Sequence, residues 1–192
     1  MATIRLALAI MTYAALLCAI AGRILSYVRP ALSAWPPPDD GRVLPLPVRV
    51  LERSFVVAQV LTLLLAFADW SALEVAGAVR IAGAVAFFAG GAWALWGVGV
   101  LGNDATMGAS RDLEFNGPYR FSRNPQYSAT IVVAWALAVM SASPLVGVAA
   151  LGITIVMIAL PFAEEPWLRQ RLGDAYLRYC ETTPRFVPRL PR

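Results

Sequence analysis

The 192-residue chain is 59% hydrophobic and only 15% charged, whereas an ordinary soluble domain is about 45–50% apolar and about 25% charged. This composition excludes a soluble globular domain and a disordered chain. All 16 cationic residues are arginine and there is no histidine, which excludes a histidine general base, a histidine-ligated metal or haem and a lysine Schiff base. The two cysteines, Cys18 and Cys180, form no C-x-x-C motif, so we expect no metal site. In a membrane protein, the positive residues behind the net charge of +4 mark the side of the membrane on which the connections lie, so we expect no nucleic-acid partner.

A membrane-spanning helix needs about 20 mainly apolar residues, and the first segment of this kind is 4–28. Its arginines, Arg5 and Arg23, lie near its ends, where long side chains reach the membrane interface. A cleaved signal peptide is the alternative, but the apolar stretch is longer than a usual signal-peptide core and lacks a clear small-x-small cleavage site. We therefore expect a retained helix.

Two further spans follow a proline-rich linker. Residues 29–50 are dense in proline, which blocks a regular helix. The second span is predicted at 51–70 and is followed by a short acidic turn. The third span is predicted at 75–101 and is rich in glycine, which lets another backbone or a ligand approach closely.

The last two spans are each predicted to begin at a proline. Asn-Pro at 124–125 and Ser-Pro at 143–144 are helix-start signals, because Asn and Ser cap helices well and proline fits the first helical position. We expect spans at 125–140 and 144–163 to form an antiparallel hairpin. Pro161 should kink or end the second of these spans.

The tail from residue 164 has apolar residues at helical spacing with arginines between them, which predicts an amphipathic helix at the membrane surface. The predicted fold class is therefore an all-α polytopic membrane protein with five transmembrane helices and an amphipathic C-terminal cytoplasmic helix. We treat 1–192 as one domain, in which 1–101 holds three spans and 102–192 holds a polar loop, the hairpin and the tail.

The arginines also predict the orientation. They are concentrated in 29–53, 102–124 and the tail, whereas the turns 69–74 and 141–143 contain none. Because arginine-rich connections stay in the cytoplasm, we expect the N-terminus outside and the C-terminus inside, with Arg5 as the exception. Chain length and the use of arginine in place of lysine favour a bacterial or archaeal inner membrane.

Polar residues that can carry chemistry are concentrated in two segments that the hairpin should bring to one membrane face. The first, 117–127, reads Gly-Pro-Tyr-Arg-x-x-Arg-Asn-Pro-x-Tyr. The second, 164–179, reads Glu-Glu-x-x-Leu-x-x-x-x-Gly-x-x-Tyr-x-x-Tyr.

Together these motifs resemble the isoprenylcysteine carboxyl methyltransferases, and the related phospholipid N-methyltransferases share the pattern. The resemblance covers about residues 97–188. It implies an integral-membrane methyltransferase that binds S-adenosyl-L-methionine between its last helices and takes a lipophilic or prenylated substrate from the bilayer. The family commonly has histidine near the cofactor where this chain has Asn124, which can form hydrogen bonds but cannot titrate.

The resemblance, combined with the chemistry of the cofactor, implies a set of site residues. Arginine or helix-start N–H groups suit the carboxylate of the cofactor, glutamate suits its amino group or ribose, glycine permits close approach, and aromatic rings suit its adenine. The candidate cofactor-binding residues are Gly97, Gly99, Tyr119, Arg120, Arg123, Asn124, Pro125, Tyr127, Glu164 and Glu165. The candidate catalytic residues are Arg169, Arg171 and Glu165.

Each candidate also has a simpler interpretation. The simpler interpretation of the arginines is membrane anchoring or surface charge, that of the glutamate pair is a solvated helix start, and that of the glycines is helix packing. Burial of the glutamates would favour function, because buried carboxylates are costly. We predict that Glu165→Ala or Arg123→Ala abolishes cofactor binding.

The nature of the acceptor separates the remaining hypotheses. A carboxylate is already ionised and needs no base, which favours the isoprenylcysteine carboxyl type in a chain without histidine or lysine. A phospholipid amine or a small thiol would have to be deprotonated.

An oxidoreductase like the membrane sterol reductases would need a nicotinamide site, and the chain has no G-x-G-x-x-G motif after a predicted strand. A non-enzymatic membrane subunit would bind no cofactor. The oligomeric state stays open.

Overall fold

The computed structural model describes residues 2–29, 45–106 and 116–187, and these residues contain helices and no strand. The all-α fold class is therefore confirmed. The five α-helices are α1 (Ala2–Val28), α2 (Leu46–Ala68), α3 (Gly77–Thr106), α4 (Pro125–Ser141) and α5 (Pro144–Thr182). A 3-10 helix, Gly117–Arg120, precedes α4.

Several of the helices can cross a membrane. By length and composition α1, α2, α5 and the Gly77–Leu101 part of α3 are long and apolar enough. Helix α4 has 17 residues, which is about 25 Å of helix against a hydrocarbon core of about 30 Å. A polytopic membrane protein is therefore confirmed, and the count of five spans stays a prediction because α4 is at the lower limit of length.

The helices pack side by side in the order α2, α1, α5, α4, α3. Helix α3 lies close to α4 because Gly83, Gly90 and Gly97, spaced at seven residues, all face it. A Cβ atom at Gly83 would lie 2.8 Å from the backbone nitrogen of Met140, so a larger residue there would push the two helices apart. The predicted antiparallel hairpin is formed by α4 and α5.

The two turns without arginine meet at one end of the bundle. The backbone N–H groups of Ser71 and Leu73 donate to the carbonyls of Ser141 and Ala142 at 2.8 and 3.0 Å. Arg5 lies at the same end and pairs with Asp69 at 3.2 Å. The arginine that departs from the predicted charge asymmetry is thus balanced by a local carboxylate.

Two helix boundaries in the N-terminal half differ from the prediction. Helix α2 begins at Leu46, although 46–50 was predicted as linker, because Pro47 lies in the first helical turn, where a proline loses no helical hydrogen bond. The rest of the predicted linker, 30–44, lies outside the described residues. Helix α3 continues past residue 101 to Thr106.

The prediction allowed Pro161 either to kink or to end the last span. The helix continues through Pro161 and Pro166, so Pro161 does not end α5. Pro161 is buried and follows Leu160, which packs in the core with α1 and α4, so tertiary contacts hold the helix across the missing hydrogen bond. The backbone becomes non-helical at Gly173, with φ 54° and ψ −135°, a conformation open mainly to glycine. The predicted surface helix therefore begins as a continuation of α5 and changes direction at Gly173.

Candidate functional site

A buried carboxylate lies at the arginine-rich end of the bundle. Glu165 is 4% exposed and accepts hydrogen bonds from Nε and Nη2 of Arg185 at 2.8 and 2.7 Å. Arg123 and Arg169 form further ion pairs with it at 3.3 and 3.5 Å. A buried carboxylate requires such partners. These four residues, here named the Glu165 cluster, place three guanidinium groups around one carboxylate.

Arg123 and Arg185 are held in different ways within this cluster. Arg123 donates its backbone N–H to the carbonyl of Pro184 at 2.9 Å and a guanidinium N–H to the sulfur of Cys180. Its Nε is buried and has no hydrogen-bond partner among the described residues. The hydrogen bonds to Glu165 raise the pKa of Arg185. The cluster therefore combines fixed positive charge with a donor that still needs an acceptor.

Residues 183–187, here named the C-terminal strap, return from the end of α5 to the start of α4. The side-chain Nδ2 of Asn124 donates to the carbonyl of Arg185 at 3.0 Å, and the hydroxyl of Ser128 donates to the carbonyl of Phe186 at 3.0 Å. Asn124 occupies the N-cap position of α4 as predicted, but its side chain makes no capping hydrogen bond. It instead anchors the strap that carries Arg185.

The adjacent carboxylate faces a different group of residues. Both oxygens of Glu164 accept from the hydroxyl of Tyr127, at 2.7 and 2.8 Å. Arg23 of α1 pairs with Glu52 of α2, and the hydroxyl of Ser26 donates to Glu52 at 2.9 Å. These five residues are here named the Glu164 cluster. Tyr127 and Glu164 join α4 to α5, and Arg23, Ser26 and Glu52 join α1 to α2.

Tyr119 ties the 3-10 helix to both helices of the hairpin. Its backbone carbonyl accepts from the hydroxyl of Tyr179 at 2.6 Å, and its own hydroxyl accepts from Nε2 of Gln126 at 2.9 Å. Pro125, the first residue of α4, is fully buried. These contacts fix the start of α4 next to the Glu165 cluster.

Four predicted site residues do not reach either cluster. A Cβ at Gly97 would lie 2.9 Å from Cγ of Gln126, so this glycine serves the packing of α3 on α4, while a Cβ at Gly99 would meet nothing within 4 Å. Arg120 stacks on the ring of Phe121 at 4.7 Å, and Arg171 stacks on Trp167 at 5.4 Å. Of the two arginines predicted as catalytic, Arg169 is the one that reaches Glu165. The remaining predicted site residues lie in or beside the two clusters.

Three charged residues of the clusters were not predicted as site residues. Arg185 lies in a basic tail, where nothing local distinguishes it from Arg189 and Arg192. The sequence could have identified Arg23 as a candidate site residue, because an ionisable residue inside an apolar helix is a functional candidate by default. Glu52 gave no such signal, because it lies near a helix start at the membrane surface.

The long apolar helices are those of an integral membrane protein. A buried charged site lies where the start of α4 meets Glu165 of α5. The family model for phospholipid methyltransferase matches residues 73–175, more than half of the chain, and the chain belongs to that family. The resemblance drawn from the motifs is thereby confirmed. No curated protein and no solved structure matches the chain.

The family match supports a membrane methyltransferase that acts on lipid-type substrates. Methyltransferases of this family generally use S-adenosylmethionine. The matched region contains Glu164, Glu165, Arg123 and Arg169, whereas α1, α2 and the C-terminal strap lie outside it. The two clusters are therefore built partly from matched and partly from unmatched residues.

Proposed function

We propose that the protein is an S-adenosylmethionine-dependent methyltransferase that methylates a lipophilic substrate at the cytoplasmic membrane face. The observation that carries this proposal is the Glu165 cluster, in which a carboxylate that is 4% exposed is surrounded by three arginines inside a methyltransferase family member. Three guanidinium groups around one carboxylate give the cluster a net positive charge, which suits an anionic group.

The Glu165 cluster suits the amino acid end of S-adenosylmethionine. The ion pairs of Glu165 with Arg123 and Arg169, at 3.3 and 3.5 Å, are longer than its hydrogen bonds to Arg185, and an amino group that binds Glu165 would take the place of one of them. The buried Nε of Arg123 is a donor with no partner among the described residues, and it suits a carboxylate. The start of α4 offers backbone N–H groups nearby. The bound donor would supply an electrophilic methyl group on a sulfonium centre.

The side chains around the site contribute positioning and exclusion of water. The guanidinium groups of the Glu165 cluster offer planar sets of N–H donors and positive charge, which suit an anionic group. The rings of Tyr119 and Tyr179 are buried, and the hydroxyl of Tyr179 donates to the carbonyl of Tyr119 at 2.6 Å. Fixing the two reactants in a dry site supplies much of the rate of such a transfer.

Three acceptors fit this proposal. The motif resemblance favours the carboxyl group of a prenylated cysteine, and the matched family favours the amine of a phospholipid. A small thiol is the third. A carboxylate needs no base, whereas an amine or a thiol has to lose a proton.

Calorimetry with S-adenosylmethionine and its demethylated product, on the full chain in detergent, tests the proposal. The wild type should bind both, and Glu165→Gln or Arg123→Gln should weaken binding about tenfold or more, because each removes a charge-assisted contact. Glu181→Gln removes an exposed carboxylate from the same helix and should bind like the wild type. Absence of binding by the wild type would overturn the proposal, and oxidation of a reduced nicotinamide would favour the reductase alternative.

A further inference from the structure

An exposed face of α2 carries a cavity near the start of the helix. Its volume is about 300 Å³, and the residues of α2 that line it are Leu46, Arg49, Val50, Arg53, Ser54 and Val57. These residues recur at spacings of three and four, so they form one stripe along the helix. Leu46, Val50 and Val57 are aliphatic and at least half exposed. The stripe, here named the α2 groove, therefore combines an apolar surface with two cationic side chains.

The two arginines of the α2 groove have like charges and lie one helical turn apart. Arg49 and Arg53 are both exposed, and neither forms an ion pair with another residue that the structure describes. Glu52, which precedes Arg53 in the chain, pairs with Arg23 of α1 and does not line the groove. Like charges at this spacing repel each other and destabilise a helix. An anion between the two guanidinium groups would remove that repulsion.

The position of the α2 groove along the helix matches the membrane surface. Arg49 and Arg53 lie in the first turns of α2, and the apolar span was predicted to begin at residue 51, between them. Lipid phosphates lie at this level and acyl chains begin just below it, on the side of Val57. Guanidinium groups bind phosphate through paired N–H donors, and the aliphatic residues of the groove offer a contact surface for a chain.

We infer that the α2 groove binds an anionic phospholipid, with its phosphate between Arg49 and Arg53 and an acyl chain along Val50 and Val57. A lipid with a net negative charge is favoured over a zwitterionic one, because the cation of a zwitterionic head would lie close to two guanidinium groups. Anionic lipids also attract basic residues next to a membrane span in general. The groove shares no residue with the Glu165 cluster or the Glu164 cluster, so the inference does not rest on the proposed function.

The test measures lipid binding to the full chain in detergent by native mass spectrometry. Phosphatidylglycerol and phosphatidylcholine with the same acyl chains are the two lipids. Phosphatidylglycerol has no amine, carboxyl or thiol group, so its binding is not that of a methyl acceptor. The wild type should bind one phosphatidylglycerol with a Kd about tenfold or more below that of phosphatidylcholine. The double variant Arg49→Gln, Arg53→Gln should lose this preference.

Two further variants separate the groove from general charge and from folding. Arg178→Gln removes an exposed arginine from α5 and should keep the wild-type preference. The double variant Arg49→Lys, Arg53→Lys restores the charge and should recover most of the preference that the glutamine variant loses. Equal binding of the two lipids by the wild type, or an equal loss in Arg178→Gln, would overturn the inference. Displacement of phosphatidylglycerol by inorganic phosphate at equal concentration would also overturn it, since the site would then bind a free anion and no lipid.

Discussion

At the scale of single residues, Ser143 joins a helix cap to a buried charge. Its hydroxyl oxygen accepts from the N–H of Val146 at 3.1 Å, and its hydroxyl donates to Asp69, which is 4% exposed. We expect Ser143→Ala to lower the free energy of unfolding by about 1–3 kcal/mol, because it removes the cap and one donor to a buried carboxylate. Unfolding in detergent measures this change. Thr182→Ala, at an exposed site near the end of α5, should change the free energy of unfolding by less than about 0.5 kcal/mol. Equal effects of the two substitutions would contradict the prediction.

Residue roles could be predicted where their partners are local. Ser143 caps α5 as predicted, because cap, proline and first turn are adjacent in the chain. Asn124 has the same sequence signal, but its side chain bonds to the carbonyl of Arg185, 61 residues later. Arg185 itself became part of the site only through this return of the chain. The sequence predicted Glu165 and two of its partners, Arg123 and Arg169, and offered no means to identify Arg185, the third arginine that pairs with it.

At the scale of the helix, Gly173 sets the direction of the segment that carries Tyr176 and Tyr179. Its φ of 54° is one that other residues avoid, and a Cβ there would meet nothing within 4 Å. Gly173→Ala should therefore destabilise the protein by about 1–3 kcal/mol through backbone strain alone. Gly147→Ala on the same helix also meets nothing within 4 Å and has no positive φ, so it should be neutral or stabilising.

Limited proteolysis and thermal unfolding in detergent separate these two glycine variants. Strain at Gly173 should expose the chain after residue 173 to cleavage and lower the unfolding temperature, whereas Gly147→Ala should do neither. Similar behaviour of the two variants would show that the break in α5 does not depend on glycine.

The existence of the helices followed from hydropathy, and the starts of α4 and α5 followed from their Asn-Pro and Ser-Pro signals, whereas the start of α2 and the end of α5 were not predicted. Apolar runs of spanning length report directly on the bilayer, so every predicted span coincides with a helix. Pro47 was predicted to lie in a linker and Pro161 to kink or end a span. A proline in the first turn costs little, and α5 continues through Pro161, which is buried in the core. Boundaries of this kind depend on packing, which a single sequence does not display.

At the scale of the whole molecule, the packing order puts α5 between the two halves of the bundle. Its adjacent carboxylates have different partners. Glu165 pairs with Arg123, Arg169 and Arg185 of the strap, whereas Glu164 accepts from the hydroxyl of Tyr127 of α4.

Cysteine labelling tests the predicted orientation of this whole arrangement. In a chain carrying Cys18→Ser and Cys180→Ser, single cysteines are placed at two exposed carboxylates, Glu74→Cys in the turn without arginine and Asp174→Cys after Gly173. Because the arginine-rich end should stay in the cytoplasm, a membrane-impermeant maleimide added to intact cells should label position 74 and should label position 174 only after permeabilisation. The reverse pattern would place both clusters, and therefore the reaction, on the outer face of the membrane.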